Sequence, residues 1–119
     1  MKPIPLDTNQ LETFVEIGHS DYREIFEDFI HQIPLYLERI YQAIRDADSS
    51  TLRATVHSLR GMASLFGCVT LTQRLAQLEQ DLEVHPAHAQ HIHTELHSLW
   101  QSNLAALEAW EKSIPEFQR

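Results

Sequence analysis

A chain of 119 residues with three glycines, five prolines and one cysteine can bury a single sizeable core but cannot close an internal disulfide. Its formal net charge of −8, from 9 Lys and Arg against 17 Asp and Glu, disfavours nucleic acid and anionic membrane surfaces, both of which are held by cations. No apolar run approaches the roughly 20 residues that span a bilayer, and Met1–Gln10 lacks the apolar centre of a secretory signal, so the expected compartment is the cytoplasm.

Apolar residues recur at helical spacing along nearly the whole chain, which predicts an all-α protein. A short first helix is expected after Asp7 or Thr8, turning Leu11, Phe14 and Val15 inward and ending at Gly18. Ser20 or Asp21 can cap a long second helix with Tyr22, Phe26, Phe29, Ile33, Leu37, Ile40 and Ile44 on its inner face. Pro34 interrupts that run and predicts a kink rather than a stop. Asp46–Ser50 reads as a turn, from which Asp48 or Ser49 caps a third helix that ends near Gly67. Thr70 can cap a fourth, with Leu71, Leu75, Leu78 and Leu82 as its stripe. After a break at His85-Pro86, a last helix is expected from about Ala87 to Lys112, burying Leu96, Leu99, Trp100, Leu107 and Trp110. Long helices joined by short connections are antiparallel neighbours, so the expected architecture is an up-down four-helix bundle with a short additional N-terminal helix. With no repeat and no low-complexity linker, residues 1–119 read as one domain.

The most informative stretch lies on the third helix, Val56-His57-Ser58-Leu59-Arg60-Gly61 followed by Gly67. Residues three, four and seven apart share a helix face, which places Arg60, Gly61 and Ser64 beside His57. Leu52, Val56, Leu59, Ala63 and Phe66 form a separate apolar stripe, so His57 should stand in solvent. A glycine inside a helix costs about 1 kcal/mol relative to alanine. A histidine that must be approached closely by a bulky anionic group supplies a reason for it.

The hairpin of the third and fourth helices makes a geometric prediction. If the chain reverses about Cys68, the residue opposite His57 is Glu79, at the edge of the fourth helix's leucine stripe. A carboxylate there can accept the Nδ1 proton of His57, fixing the tautomer and leaving Nε2 as the nucleophile.

These residues resemble the signature of the histidine-containing phosphotransfer (HPt) domains of bacterial and fungal phosphorelays. That family's pattern is His, an aliphatic residue two on, Lys or Arg three on, Gly four on and a second Gly ten on; here these are His57, Leu59, Arg60, Gly61 and Gly67. The residue twenty-two positions on is often Gln or Glu, and here it is Glu79 after Leu78. The resemblance extends over nearly the whole chain in length, helix order and the position of Pro34. Two departures are Arg60, where Lys is commoner, and Met62, where a small residue is usual. Arg60 keeps the charge but presents a planar fork of donors.

The resemblance implies a phosphorelay intermediate without autonomous kinase activity. Neutral His57 would accept a phosphoryl group from a receiver-domain aspartate or a hybrid kinase, then pass it to another response-regulator receiver. Arg60 would offset the growing charge on the phosphoryl oxygens. The chain would need no cofactor of its own, because Mg²⁺ and the acidic pocket belong to the receiver. The implied partners are receiver domains and a sensor or hybrid histidine kinase; the default expectation for the chain itself is a monomer. Gly61, Ser64, Leu65, Gly67 and an exposed Cys68 are expected to form the docking surface around His57.

Two other classes of function stay open at this level. His85, His88, His91, His93 and His97 crowd the start of the last helix, and His93 and His97 are spaced to chelate Zn²⁺ or Cu²⁺, although no cysteine accompanies them. Alternatively, the bundle could be a non-catalytic helical adaptor. Glu16 and His19 match the Glu-x-x-His of di-iron bundles, but no second copy exists.

Overall fold

The computed structural model describes residues 6–17 and 22–113. They form α1 (Thr8–Ile17), α2 (Tyr22–Arg45), α3 (Ser49–Leu65), α4 (Val69–Gln80) and α5 (Ala89–Lys112), the last entered through one 3-10 turn at Pro86–His88. Each of α2, α3 and α4 packs against its successor, and α5 closes the ring by packing on α2. The architecture is the expected four-helix bundle with α1 laid against α3. The predicted cap at Ser20 or Asp21 and the stop at Gly18 lie outside the described residues, as do the side chains of Phe14 and Val15.

Periodicity accounts for what is buried. All seven expected inner positions of α2 are buried, and Ala43 joins them. The helix and its stripe run through Pro34, whose side is exposed, so the missing amide falls on the solvent face. Phe66 lies at the centre of an aromatic cluster. Its ring stacks on Phe29 at 4.1 Å, Phe29 meets Trp100 edge-on at 5.3 Å, and Tyr22 and Phe26 lie within 6.2 Å of Phe66. These rings tie α2 and α5 to the end of α3, the helix that carries His57. In α5, Leu96, Trp100 and Leu107 are buried as expected; Leu99 and Trp110 are only half-buried.

The two turns that bracket α3 are built alike. After α2, Asp48 N–H donates to Ala43 O and Ala47 N–H to Ile44 O; after α3, Cys68 N–H donates to Ala63 O and Gly67 N–H to Ser64 O. Both are Schellman motifs, which need a left-handed residue just past the helix. That residue is Ala47 at φ 54° in the first and Gly67 at φ 67° in the second. Asp48 then caps α3, its carboxylate accepting from Thr51 N–H.

Gly67 meets a second demand. Leu6 pairs with Cys68 in an isolated antiparallel bridge, and Asp7 N–H donates to Gly67 O at 2.8 Å. A Cβ at position 67 would sit 2.6 Å from the backbone oxygen of Asp7. The N-terminal segment is thus strapped across the α3–α4 turn, and only glycine admits it.

The start of α4 differs from expectation. Cys68, two residues before Thr70, takes the N-cap position, and it makes no side-chain cap bond. The helix also ends sooner, at Gln80, leaving Leu82 half-buried in the connection to α5.

Candidate functional site

His57 occupies the middle of α3 on the face opposite its buried stripe of Leu52, Val56, Leu59 and Ala63, and its side chain is 67 % exposed. The short α3–α4 turn brings Glu79 to it from twenty-two residues away. His57 Nδ1 lies 2.8 Å from Glu79 Oε1. An ionised carboxylate can only accept, so this contact requires the ring proton on Nδ1 and leaves the Nε2 lone pair for other chemistry. Glu79 thus lies opposite His57, at the position that counting about Cys68 predicts.

Arg60 completes the group. Its Nε stands 3.1 Å from Glu79 Oε2, close enough for an ion pair but without hydrogen-bond alignment, since Oε2 makes no hydrogen bond. Glu79, with a side chain 23 % exposed, thus lies between the imidazole and the guanidinium. Nε of Arg60 is directed to Glu79, and the two Nη groups supply further donors for an incoming anion.

The glycines divide by role. Gly61 is exposed in mid-helix, one turn from His57, and a Cβ built there meets nothing within 4 Å. No packing demand explains a glycine at this point, and the space beside His57 is open. Gly67 is buried beneath the N-terminal strap and serves the backbone, so it leaves the expected docking surface. Cys68 leaves it too. The residue is fully buried, and burial pushes its thiol up to about 12. Met62 packs half-buried against the core and does not cover the site. Ser64 and Leu65 remain at the surface, Leu65 at 38 % exposure.

One neighbouring feature was not legible beforehand. The strap creates a depression of about 180 Å³ between Asp7, Ser64, Val69 and Thr72, continuous with the His57 face through Ser64. Nothing in the local pattern of residues 6–7 announces that they cross the α3–α4 turn, because the partners are sixty residues away.

The other described histidines do not assemble a centre. His93 and His97 stack at 6.1 Å, and His85 and His88 are tilted at 6.1 Å. Among the described residues, no three His, Cys, Asp or Glu side chains converge as a metal site. No described helix is long and apolar enough to cross a membrane.

Comparison with known proteins gives one family. The family model of the Hpt domain matches residues 24–110, which takes in His57, Arg60, Gly61 and Glu79. No curated protein and no solved structure gives a significant match.

Proposed function

Since the chain belongs to the Hpt domain family, whose members carry phosphoryl groups on histidine in two-component systems, we propose that His57 is the phosphoryl-accepting residue of a relay intermediate. Nε2 attacks the phosphorus of an aspartyl phosphate on a receiver domain. The P–N bond forms as the P–O bond to the aspartate breaks, and the aspartate leaves as a carboxylate. Positive charge that develops on the ring is offset by Glu79 at Nδ1. Arg60 offsets the charge on the phosphoryl oxygens through its Nη groups. The step then runs in the other direction, onto the aspartate of a second receiver. Chemistry of this kind needs Mg²⁺ and an acidic pocket, both contributed by the receiver, which is why the chain acts as a carrier and not as a kinase.

The observation that carries the reading is the 2.8 Å contact between His57 Nδ1 and Glu79 on an otherwise open helix face. A carboxylate accepting at Nδ1 keeps Nε2 unprotonated, the state in which it can attack phosphorus. The charge distribution supports the partner class. Residues 49–80 carry Arg53, Arg60 and Arg74 against Glu79 alone, whereas the whole chain carries −8. The hairpin around His57 carries net positive charge in an acidic molecule, which suits it to an acidic pocket. Gly61, Ser64 and Leu65 form the surface on which the receiver docks, with the depression beside Ser64 at its margin.

Transfer between chains tests the reading. Phosphorylated protein mixed with a receiver domain and Mg²⁺ should lose its phosphoryl group as the receiver gains one. The His57→Ala variant should dock comparably and transfer nothing. A chain that binds the receiver but never carries phosphate would instead be an adaptor.

A further inference from the structure

The first turn of α4 has no cap of its own. Cys68 holds the N-cap position without a side-chain hydrogen bond, where Ser, Thr, Asp or Asn ordinarily accepts from the second or third amide of the helix. The acceptor comes from across the bundle. Oδ1 of Asn103, on α5, accepts from Leu71 N–H at 3.3 Å, and Nδ2 of the same side chain donates to Thr70 Oγ1 at 3.0 Å. Leu71 is the third residue of α4, so its amide is one of those a local cap would satisfy.

Asn103 is completely buried in a core otherwise made almost wholly of apolar side chains. A primary amide is costly in such a place unless its groups are bonded. Here both ends of the amide are engaged, and Leu71 and Thr70 belong to the same turn of the same neighbouring helix.

We propose that Asn103 is a positioning residue, which fixes the start of α4 and thereby holds Glu79 opposite the His57 ring. The inference rests on the reading of His57 as the reacting group, and Asn103 acts only through α4. The leucine face of α4, Leu71, Leu75 and Leu78, supplies cohesion to the bundle. Apolar contact is non-directional, however, and permits a helix to slide or turn by a fraction of a residue. A hydrogen bond is not so tolerant of distance or angle. Glu79 lies eight residues beyond Leu71, about 12 Å along a stiff rod, so displacement at the first turn is carried to the carboxylate. A movement of roughly 1 Å there is enough to stretch the 2.8 Å contact with His57 beyond a hydrogen bond. Arg74 Nε donates to Glu95 Oε1 at 2.7 Å and ties α4 to α5 again, between the clamp and Glu79. That second tie is a partly exposed pair of long side chains, and it restrains the helix less than a buried amide bonded at both ends.

The test reads the His57 ring itself. Imidazole ¹⁵N resonances distinguish the Nδ1–H from the Nε2–H tautomer in the neutral ring, and the measurement needs neither receiver nor phosphoryl donor. Failure of this inference is thereby separable from failure of the phosphotransfer reading. The wild-type ring should show the Nδ1–H signature, and Asn103→Ala should shift it toward Nε2–H. Adding Cys68→Ser to that variant supplies a local acceptor for the first turn of α4. The double variant should regain thermal stability while the ring signals stay shifted. Should Asn103→Ala fail to fold, Thr70→Val removes half of the clamp and is expected to give a smaller shift in the same direction. Unchanged ring signals in a folded Asn103→Ala or Thr70→Val variant would overturn the proposal. So would a double variant in which stability and ring signals recover together, since Asn103 would then be a helix cap and nothing more.

Discussion

The environment of Gly61 distinguishes a residue kept for the fold from one kept for approach. It stands in mid-helix with open space above it, in the backbone conformation any residue adopts there. Replacing it by alanine removes the entropic cost of glycine in a helix, so Gly61→Ala should stabilise the protein by about 1 kcal/mol in chemical denaturation. The same methyl group would stand on the surface proposed for the receiver. Transfer to a receiver domain should slow by about tenfold, while labelling by phosphoramidate, a much smaller donor, changes less. A stabilised variant that transfers at the wild-type rate would show that the open face at Gly61 has no part in docking.

The elements carry their own tests, because the matched turns flanking α3 differ in one residue. Ala47 adopts a left-handed conformation with a Cβ, where glycine has no such strain, so Ala47→Gly should raise stability by about 0.5–1 kcal/mol. Gly67→Ala should do the opposite, since its Cβ would press on the Asp7 carbonyl as well as straining φ. Thermal unfolding of the two variants checks both signs. The α3 cap adds a dependence on pH. Bonds from the Thr51 hydroxyl and Thr51 N–H hold the Asp48 carboxyl below its ordinary value. A depressed carboxyl contributes stability that is present above its unfolded value and lost as pH falls through its folded one. Asp48→Asn keeps an acceptor but removes the charge, so its stability should converge with that of the wild type as the pH is lowered through the acidic range.

These elements also show why some of the site was legible in the residues and some was not. His57 and Glu79 could be paired beforehand because a short turn between two helices relates positions by near-symmetric counting. The stripes of α2, α3 and α5 could be read because burial follows a 3.6-residue period. Cys68 could not be oriented, since it sits at the turn where neither helix's period applies, and it is buried beside Leu6. The spacing of Gly67 groups it with the site, yet a strap from the far N-terminus explains it. Asn103 escaped notice for a similar reason: the cap it supplies to α4 comes from thirty-two residues away, whereas cap signals are sought next to the helix they serve.

At the scale of the whole molecule, charge separates the reacting hairpin from the rest. The bundle measures 46 × 33 × 20 Å, and its acidic residues are concentrated outside residues 49–80. An acidic partner is drawn to the α3–α4 hairpin and repelled elsewhere, which assists both encounter rate and orientation. The bimolecular rate of transfer to a receiver should therefore fall as salt is raised from about 0.01 to 0.15 M, as the Debye length contracts from about 30 to 8 Å. Arg53→Glu, exposed one turn before His57, should lower the rate at low salt and flatten its salt dependence. A rate indifferent to both changes would remove electrostatic steering from the account.

The central claim, that His57 is the residue that carries the phosphoryl group, is tested most directly by labelling with phosphoramidate followed by peptide mapping of the wild type and His57→Ala. One acid-labile phosphoryl group on the peptide containing His57, absent from the variant, is the predicted result. Label distributed over His85, His88, His91, His93 and His97, or persisting in the variant, would contradict it.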